Sequence, residues 1–178
     1  MFVLTSSELI ERGLIPLKYA NAAWGAEGGQ NLSPPLNWSG APPGTKSFAL
    51  GCVDADLPLD ADWFPFKDQI QPGGLPGDLF IHWVACDIAA SVSELSEGAS
   101  PGKMPSGICE LMTSFGESGY GGPAPPKGHK AHAYVFTLYA LNVDSLGLAA
   151  EAGYGDFVGA MRGRVIATAS LTAYFGHY

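Results

Sequence analysis

The chain has 178 residues, a formal net charge of −8 at pH 7, 47% hydrophobic residues and 15% charged residues. That length and composition suit a single globular domain, residues 1–178, with a sizeable core, and exclude disordered and fibrous classes. The acidic balance argues against nucleic acid and anionic membrane surfaces as general partners, because both reward clustered Lys and Arg.

With 24 Gly and 14 Pro, the sequence predicts many short strands rather than long helices. The opening Met1-Phe2-Val3-Leu4-Thr5-Ser6-Ser7-Glu8 has no basic segment followed by an apolar stretch, so no secretory signal is expected. Ser6 or Ser7 is placed to cap a short helix through Arg12, ended by Gly13. Gly28 to Pro35 and Gly40 to Gly44 are loop chemistry, with Leu36-Asn37-Trp38 a short strand between them.

Ser47 to Asp56 alternates, with Phe48, Leu50, Cys52, Asp54 and Asp56 on one face. Ala49, Gly51, Val53 and Ala55 share the other, and their small size predicts close packing against another layer. In the next strand, Leu79 to Ile88, alternation puts Phe80, His82, Val84 and Cys86 on one side and Ile81, Trp83 and Ala85 on the other. Tyr134 to Leu141 is apolar on both faces, as a central strand should be, and Val165 to Tyr174 is a late strand. Weak helices are expected from Asp144 or Ser145 through Ala152 and from Asp156 to Arg162. The sum is a mainly β protein: an antiparallel β-sandwich with a few short peripheral helices.

The stretch with most chemical content is Gly122-Pro123-Ala124-Pro125-Pro126-Lys127-Gly128, followed by His132-Ala133-Tyr134 at the head of an apolar run. Pro125 and Pro126 fix the backbone into a rigid rim. Residues two apart in a strand share a face, so His132 and Tyr134 point the same way. A stiff lip above an imidazole and a phenol describes a pocket for a small polar or anionic group. Asp54 and Asp56 aim two carboxylates at one side of a strand end, and Pro58 stops the ladder beyond them. In isolation this pair reads as loop capping, and His82 reads as a buried ring with one hydrogen bond. Together they suggest that one aspartate accepts from His82, fixes its tautomer and leaves the other ring nitrogen to a ligand.

His129, Lys130, Asp60 and Asp62 read as solvated surface, and His177 carries no signal. Cys52, Cys86 and Cys109 lack metal-ligand spacing and read as reduced core cysteines of a cytoplasmic protein. No apolar run approaches the roughly 18 residues of a membrane span. A phosphate-binding Gly-Lys loop is missing from the sequence. Asp54, Asp56, His82 and His132 form a conceivable metal set, but the same mixture serves many metal-free pockets, and no cofactor or metal is expected.

Taken together, these residues resemble the phosphatidylethanolamine-binding protein family, in its bacterial, Raf kinase inhibitor-like branch. The resemblance runs through Gly29 to Trp38, Ser47 to Leu50, Asp54-Ala55-Asp56-Leu57-Pro58, His82-Trp83-Val84 and Tyr120 to Tyr134. It implies a β-sandwich with an anion pocket at one end, lined by Asp54, Asp56, His82, Pro125, Pro126, His132 and Tyr134. It also implies phosphate-like, carboxylate-like or phospholipid head-group ligands, a kinase or protease as a modulated partner, and homodimers. The chain departs from the family at Ala55 and Leu57 in the first motif, and at Ala124 and Ala133 in the second. Leu59 to Gly77 is longer than the bacterial pattern, with an aromatic patch at Trp63, Phe64 and Phe66. The resulting expectation is a non-enzymatic binding protein. The alternative is a hydrolase with His82 or His132 as general base, with or without a metal.

Overall fold

The computed structural model describes residues 1–54, 56 and 79–177. Pro58, Asp60, Asp62 and the aromatic stretch at Trp63, Phe64 and Phe66 lie outside the described residues. Along the chain come β1 (Val3–Thr5), β2 (Leu36–Ser39), β3 (Ser47–Asp54), β4 (Phe80–Ala89), β5 (Glu94–Leu95), β6 (Cys109–Glu110), β7 (His132–Leu141), α1 (Tyr154–Met161) and β8 (Val165–Phe175). They form two antiparallel sheets: a small one ordered β1-β2-β5 and a five-stranded one ordered β6-β4-β3-β7-β8.

The main core lies between the sheets. Leu4, Leu36, Trp38 and Leu95 from the small sheet meet Phe48, Leu50, Cys52, Trp83, Phe136, Leu138 and Leu171 from the large one. A second core covers the opposite face, where Ala49, Ile81, Val84 and Cys86 pack beneath Phe157 and Met161 of α1. The small-residue face of β3 therefore does receive a layer: a Cβ added at Gly51 would meet Tyr154 at 3.8 Å and Phe157 at 3.9 Å, ordinary contact distances.

Strict alternation fails in β4 for a definable reason. Cys52 pairs with Trp83 but Val53 pairs with Ile81, so His82 is an extra residue in the ladder, a β-bulge. The bulge keeps Phe80 and His82 on the Asp54 side and turns Trp83 and Ala85 to that side as well. Val84 and Cys86 consequently join the α1 core rather than sharing a face with His82. A second register shift lies between Ala85 and Ile88 and includes Asp87, whose φ is 60°.

Of the expected helices only the third forms, as α1. Ser6 does use its hydroxyl as a cap would, accepting from Glu8 N–H and Leu9 N–H at 3.2 Å each, but the chain makes a turn. That segment then runs along β8, with Arg12 N–H donating to the Thr172 carbonyl and Ile15 N–H to the Tyr174 carbonyl. The segment from Asp144 to Ala152 stays irregular because Asp87 captures it: its carboxylate accepts from Ser145 Oγ at 2.7 Å and from Leu146 N–H at 2.8 Å. These bonds reward a loop, and the glycines there never favoured a helix.

Candidate functional site

The site forms where β3, β4 and β7 run side by side. Asp54 is the last residue of β3 and pairs with Tyr134 of β7 on one side and Phe80 of β4 on the other. Cross-strand pairing thus brings Asp54, Tyr134 and His132 together on one face, as period-two geometry requires. The bulge adds His82, whose ring meets Tyr134 edge-on with centroids 5.0 Å apart.

Asp54 is only 2% exposed, and a buried carboxylate must be matched by donors. Its Oδ2 accepts from His132 Nδ1–H at 2.7 Å, and its Oδ1 accepts from Asp56 N–H at 2.8 Å. His132 Nε2 then lies 3.4 Å from Nδ1 of His129, a long contact that links a third imidazole to the pair. Asp56 is tied elsewhere, by Ala133 N–H at 2.9 Å and the Lys130 ammonium at 3.0 Å. Partial burial works against ionisation, but Lys130 and the Ala133 N–H outweigh it and hold the Asp56 carboxyl below its usual range.

His82 is anchored differently from the expectation. Its Nδ1 sits 2.6 Å from the Gly121 carbonyl, which can only accept, so Nδ1 carries the proton. No aspartate bonds this ring among the described residues: Asp54 serves His132, and Asp56 serves the backbone. Burial disfavours the charged imidazolium and pushes the His82 value down to about 4, against which the Asp54 charge gives only partial support. At neutral pH the ring is therefore uncharged, with Nε2 a bare acceptor.

Tyr134 is 1% exposed, and burial together with the Asp54 charge holds its phenol well above the ordinary range. The Asp54 carboxylate lies near its hydroxyl, but no hydrogen bond of sound geometry joins that hydroxyl to Asp54 or to any other described residue. The indole nitrogen of Trp38 shares that condition, but it belongs to the core between the sheets, whereas the Tyr134 ring stands against His82.

The segment from Phe115 to Pro126 walls one side, and its positioning residues were not singled out in the sequence reading. Gly121 N–H donates to the His82 carbonyl at 2.8 Å, which completes a two-way clasp. Gly122 N–H donates to Asn31 Oδ1 at 2.7 Å, and Asn21 N–H to the Pro123 carbonyl at 2.9 Å. A Cβ on Gly121 would overlap the Phe115 ring, and one on Gly122 would overlap the Tyr19 carbonyl oxygen, so both positions demand glycine. Phe115 itself packs edge-on against Phe80 at 4.9 Å and His82 at 5.2 Å, and Trp24 packs on Phe115 at 4.9 Å. Pro125 is buried and Pro126 half-buried in the segment that continues to His129. The Pro126 carbonyl accepts from His129 N–H at 3.2 Å and so fixes the turn that presents His129. His129 and Lys130, expected as solvated surface, are thus attached to the site through His132 and Asp56.

The comparisons with known proteins follow this geometry. The family model described as phosphatidylethanolamine-binding protein matches residues 5–176. The chain belongs to that family. It is 34% identical over 175 residues to the UPF0098 protein YbhB of Escherichia coli, covering 97% of this chain and 98% of that one. The crystal structure of Escherichia coli YbcL, described as a member of the mammalian PEBP family, superposes with a TM-score of 0.85 at 30% identity over 99% of each chain. A phosphatidylethanolamine-binding protein homologue from Chlamydia trachomatis superposes at 0.79 and 30% identity, over 99% of this chain and 98% of that one. The family names carry no enzymatic designation. Among the described residues no helix is long and apolar enough to cross a membrane, and no group of three or more His, Cys, Asp or Glu is placed to hold a metal ion.

Proposed function

We propose that this family member is a non-enzymatic binding protein that takes a small oxyanion, a phosphate, a carboxylate or a phospholipid head group, in the niche of Asp54, His82, His132 and Tyr134. The buried, unpartnered hydroxyl of Tyr134 beside a tautomer-fixed imidazole carries the reading. A polar group held dry without a partner costs about 1–3 kcal/mol, and a ligand oxygen accepting from it removes that cost. Asp54 acts from behind by orienting His132. Its own lone pairs are already engaged with His132 and Asp56, which lessens the repulsion an anion meets. Pro125 and Pro126 form the rim, and Asp56 anchors the start of β7 to the end of β3.

Calorimetry with inorganic phosphate tests this reading. His82→Ala and Tyr134→Phe are each expected to weaken binding about tenfold, the equivalent of one hydrogen bond, while retaining the circular dichroism of the fold. Unchanged affinity in both variants removes the pocket. The family resemblance adds a kinase or protease as the class of protein partner and a homodimeric assembly, and the cysteine usage adds a cytoplasmic setting. Partner capture that is lost in the same two variants supports the first of these.

One observation favours a second reading, a hydrolase. The Asp54–His132 pair has the form of an oriented general base. Among the described residues, however, no hydroxyl or thiol bonds His132 Nε2, so the pair has no side-chain nucleophile to activate. Ester or phosphoester turnover abolished by His132→Ala would install that reading in place of the first.

A further inference from the structure

The sequence reading left three dispersed thiols, and the fold divides them. Cys52 is buried in the core between the sheets, whereas Cys86 and Cys109 belong to the opposite face, beneath α1. There they stand directly across from one another: Cys86 of β4 pairs with Cys109 of β6 in antiparallel register. Leu111 N–H donates to the Val84 carbonyl at 2.9 Å, which fixes the phase of the ladder and makes Cys86 and Cys109 a hydrogen-bonded pair. Such pairs hold their Cα atoms about 5.5 Å apart, inside the window of about 4.4–6.8 Å that a disulfide spans.

Directly paired residues of adjacent strands point to the same face, so the two thiols are close neighbours. Cys109 Sγ donates to the Leu148 carbonyl at 3.6 Å. Access is graded. Cys86 is fully buried, and Cys109 is half-buried on a two-residue strand at the edge of the large sheet. The Cβ atoms of such a pair lie about 5.5 Å apart, and a two-residue edge strand can make the shift of roughly an ångström that brings them to about 4 Å.

We propose that Cys86 and Cys109 are a convertible dithiol, oxidised to a cross-strand disulfide by small-molecule disulfides such as oxidised glutathione. Cys109, the accessible sulfur, attacks as thiolate. A bond forms between Cys109 Sγ and one glutathione sulfur, the glutathione S–S bond breaks, and one glutathione thiolate leaves. Cys86 then loses its proton and attacks Cys109 Sγ; the Cys86–Cys109 bond forms and the second glutathione leaves. The protein dithiol gives up two electrons and two protons, and both leaving thiolates take them up. Burial raises both thiols above their ordinary values, so the exchange is slow near neutrality and quickens as pH rises. The bond joins β6 to β4 immediately before the segment through Phe115 to Gly121 that walls the candidate site.

The purified full chain, reduced and then incubated with oxidised glutathione at alkaline pH, provides the test. Thiols are trapped with an alkylating reagent, and intact and peptide masses are read. The expected product is lighter than the dithiol by about two mass units, the two hydrogens of the oxidation. It should yield one linked peptide joining Cys86 to Cys109 and revert with dithiothreitol. In Cys86→Ser the reaction is expected to stop at a glutathione adduct on Cys109; in Cys109→Ser nothing should react. Three unchanged thiols in the folded wild-type protein, a lasting glutathione adduct on its Cys109, or a link to Cys52 overturns the proposal. The wild-type masses decide the matter even if a serine variant fails to fold.

Discussion

Acidification should expose the tautomer-fixed imidazole of His82 as a stability element. In the unfolded chain this ring titrates near its ordinary value of about 6.5; in the native state burial holds it down to about 4. Between those values the unfolded state binds a proton that the native state refuses, so stability is full above about pH 6.5 and falls as the pH drops. At about 1.4 kcal/mol per tenfold difference, the loss reaches roughly 3 kcal/mol once the pH is below about 4. For a domain held by about 5–15 kcal/mol this is a large share. Urea unfolding at a series of pH values from 7 to 4 measures it, with His82→Gln as reference, since a glutamine amide can still donate to the Gly121 carbonyl but takes up no proton. Every other ionisable group is common to both proteins, so its contribution cancels in the difference. Asp56, held low by Lys130 and Ala133, loses its contribution only as the pH falls below the ordinary carboxylate range, outside this window. The wild type is expected to lose about 3 kcal/mol more than the variant across the series. Parallel profiles, or a His82 imidazole that titrates by NMR in the native protein near 6.5, refute the argument.

Tyr134→Phe should leave stability unchanged or raise it by about 1 kcal/mol, since a buried hydroxyl without a partner is removed; a marked fall in the urea midpoint would reveal a structural bond. Asp54→Asn is expected to cost about 2 kcal/mol, because the His132 Nδ1–H then meets a neutral acceptor in a buried setting, read by the same denaturation. Glycine substitutions should divide by surroundings. Gly51→Ala, with its nearest neighbour at 3.8 Å, is expected to stabilise by about 0.5–1 kcal/mol, whereas Gly122→Ala, opposed by the Tyr19 backbone, should cost about 1–3 kcal/mol. Phosphate binding should take up protons near neutrality and weaken as pH rises, because His82 arrives uncharged; calorimetry in buffers of different ionisation enthalpy reads this, and a buffer-independent heat contradicts it.

How much was legible in the sequence follows from which interactions are local. β3, β7 and β8 were readable because their apolar patterns record burial directly, and β7 then fixed His132 and Tyr134 on one face by simple alternation. β4 was readable as a strand but not in its phase, since the bulge at His82 depends on the register taken up against β3, which no single strand encodes. The two-residue strands β5 and β6 carry too few positions for any period. The same limit explains the error about His82. A carboxylate two positions before a strand end and an imidazole in the next strand are natural partners on paper. β3 lies directly beside both β4 and β7, so the choice between His82 and His132 turns on the bulge at His82 and on the Gly121 carbonyl having claimed that ring. Asn31, with φ at 54°, and the pair Gly121–Gly122 leave one faint trace in sequence, glycine and asparagine clustered where prolines follow, but their task appears only when Tyr19 and Phe115 close around them.

The niche resolves an apparent contradiction in an acidic protein offered as an anion receptor. A buried carboxylate beside an anion is repulsive only while its lone pairs face the ligand. Asp54 directs its oxygens at an imidazole N–H and a backbone N–H, and so spends its charge on orienting His132. On the opposite wall, the Gly121 carbonyl locks His82 with Nε2 deprotonated, so a ligand oxygen meeting that nitrogen must bring a hydrogen or cause one to be taken up. In the proposed site Tyr134 is the complementary donor, kept neutral by burial and by the neighbouring Asp54 charge. On the proposed reading the niche offers one donor and one acceptor on rings whose centroids are 5.0 Å apart, a pattern that suits a hydrogen phosphate monoester or a protonated carboxyl group better than a halide. Discrimination of this kind comes from the direction of hydrogen bonds rather than from positive charge, and it is available to a protein whose net charge is −8.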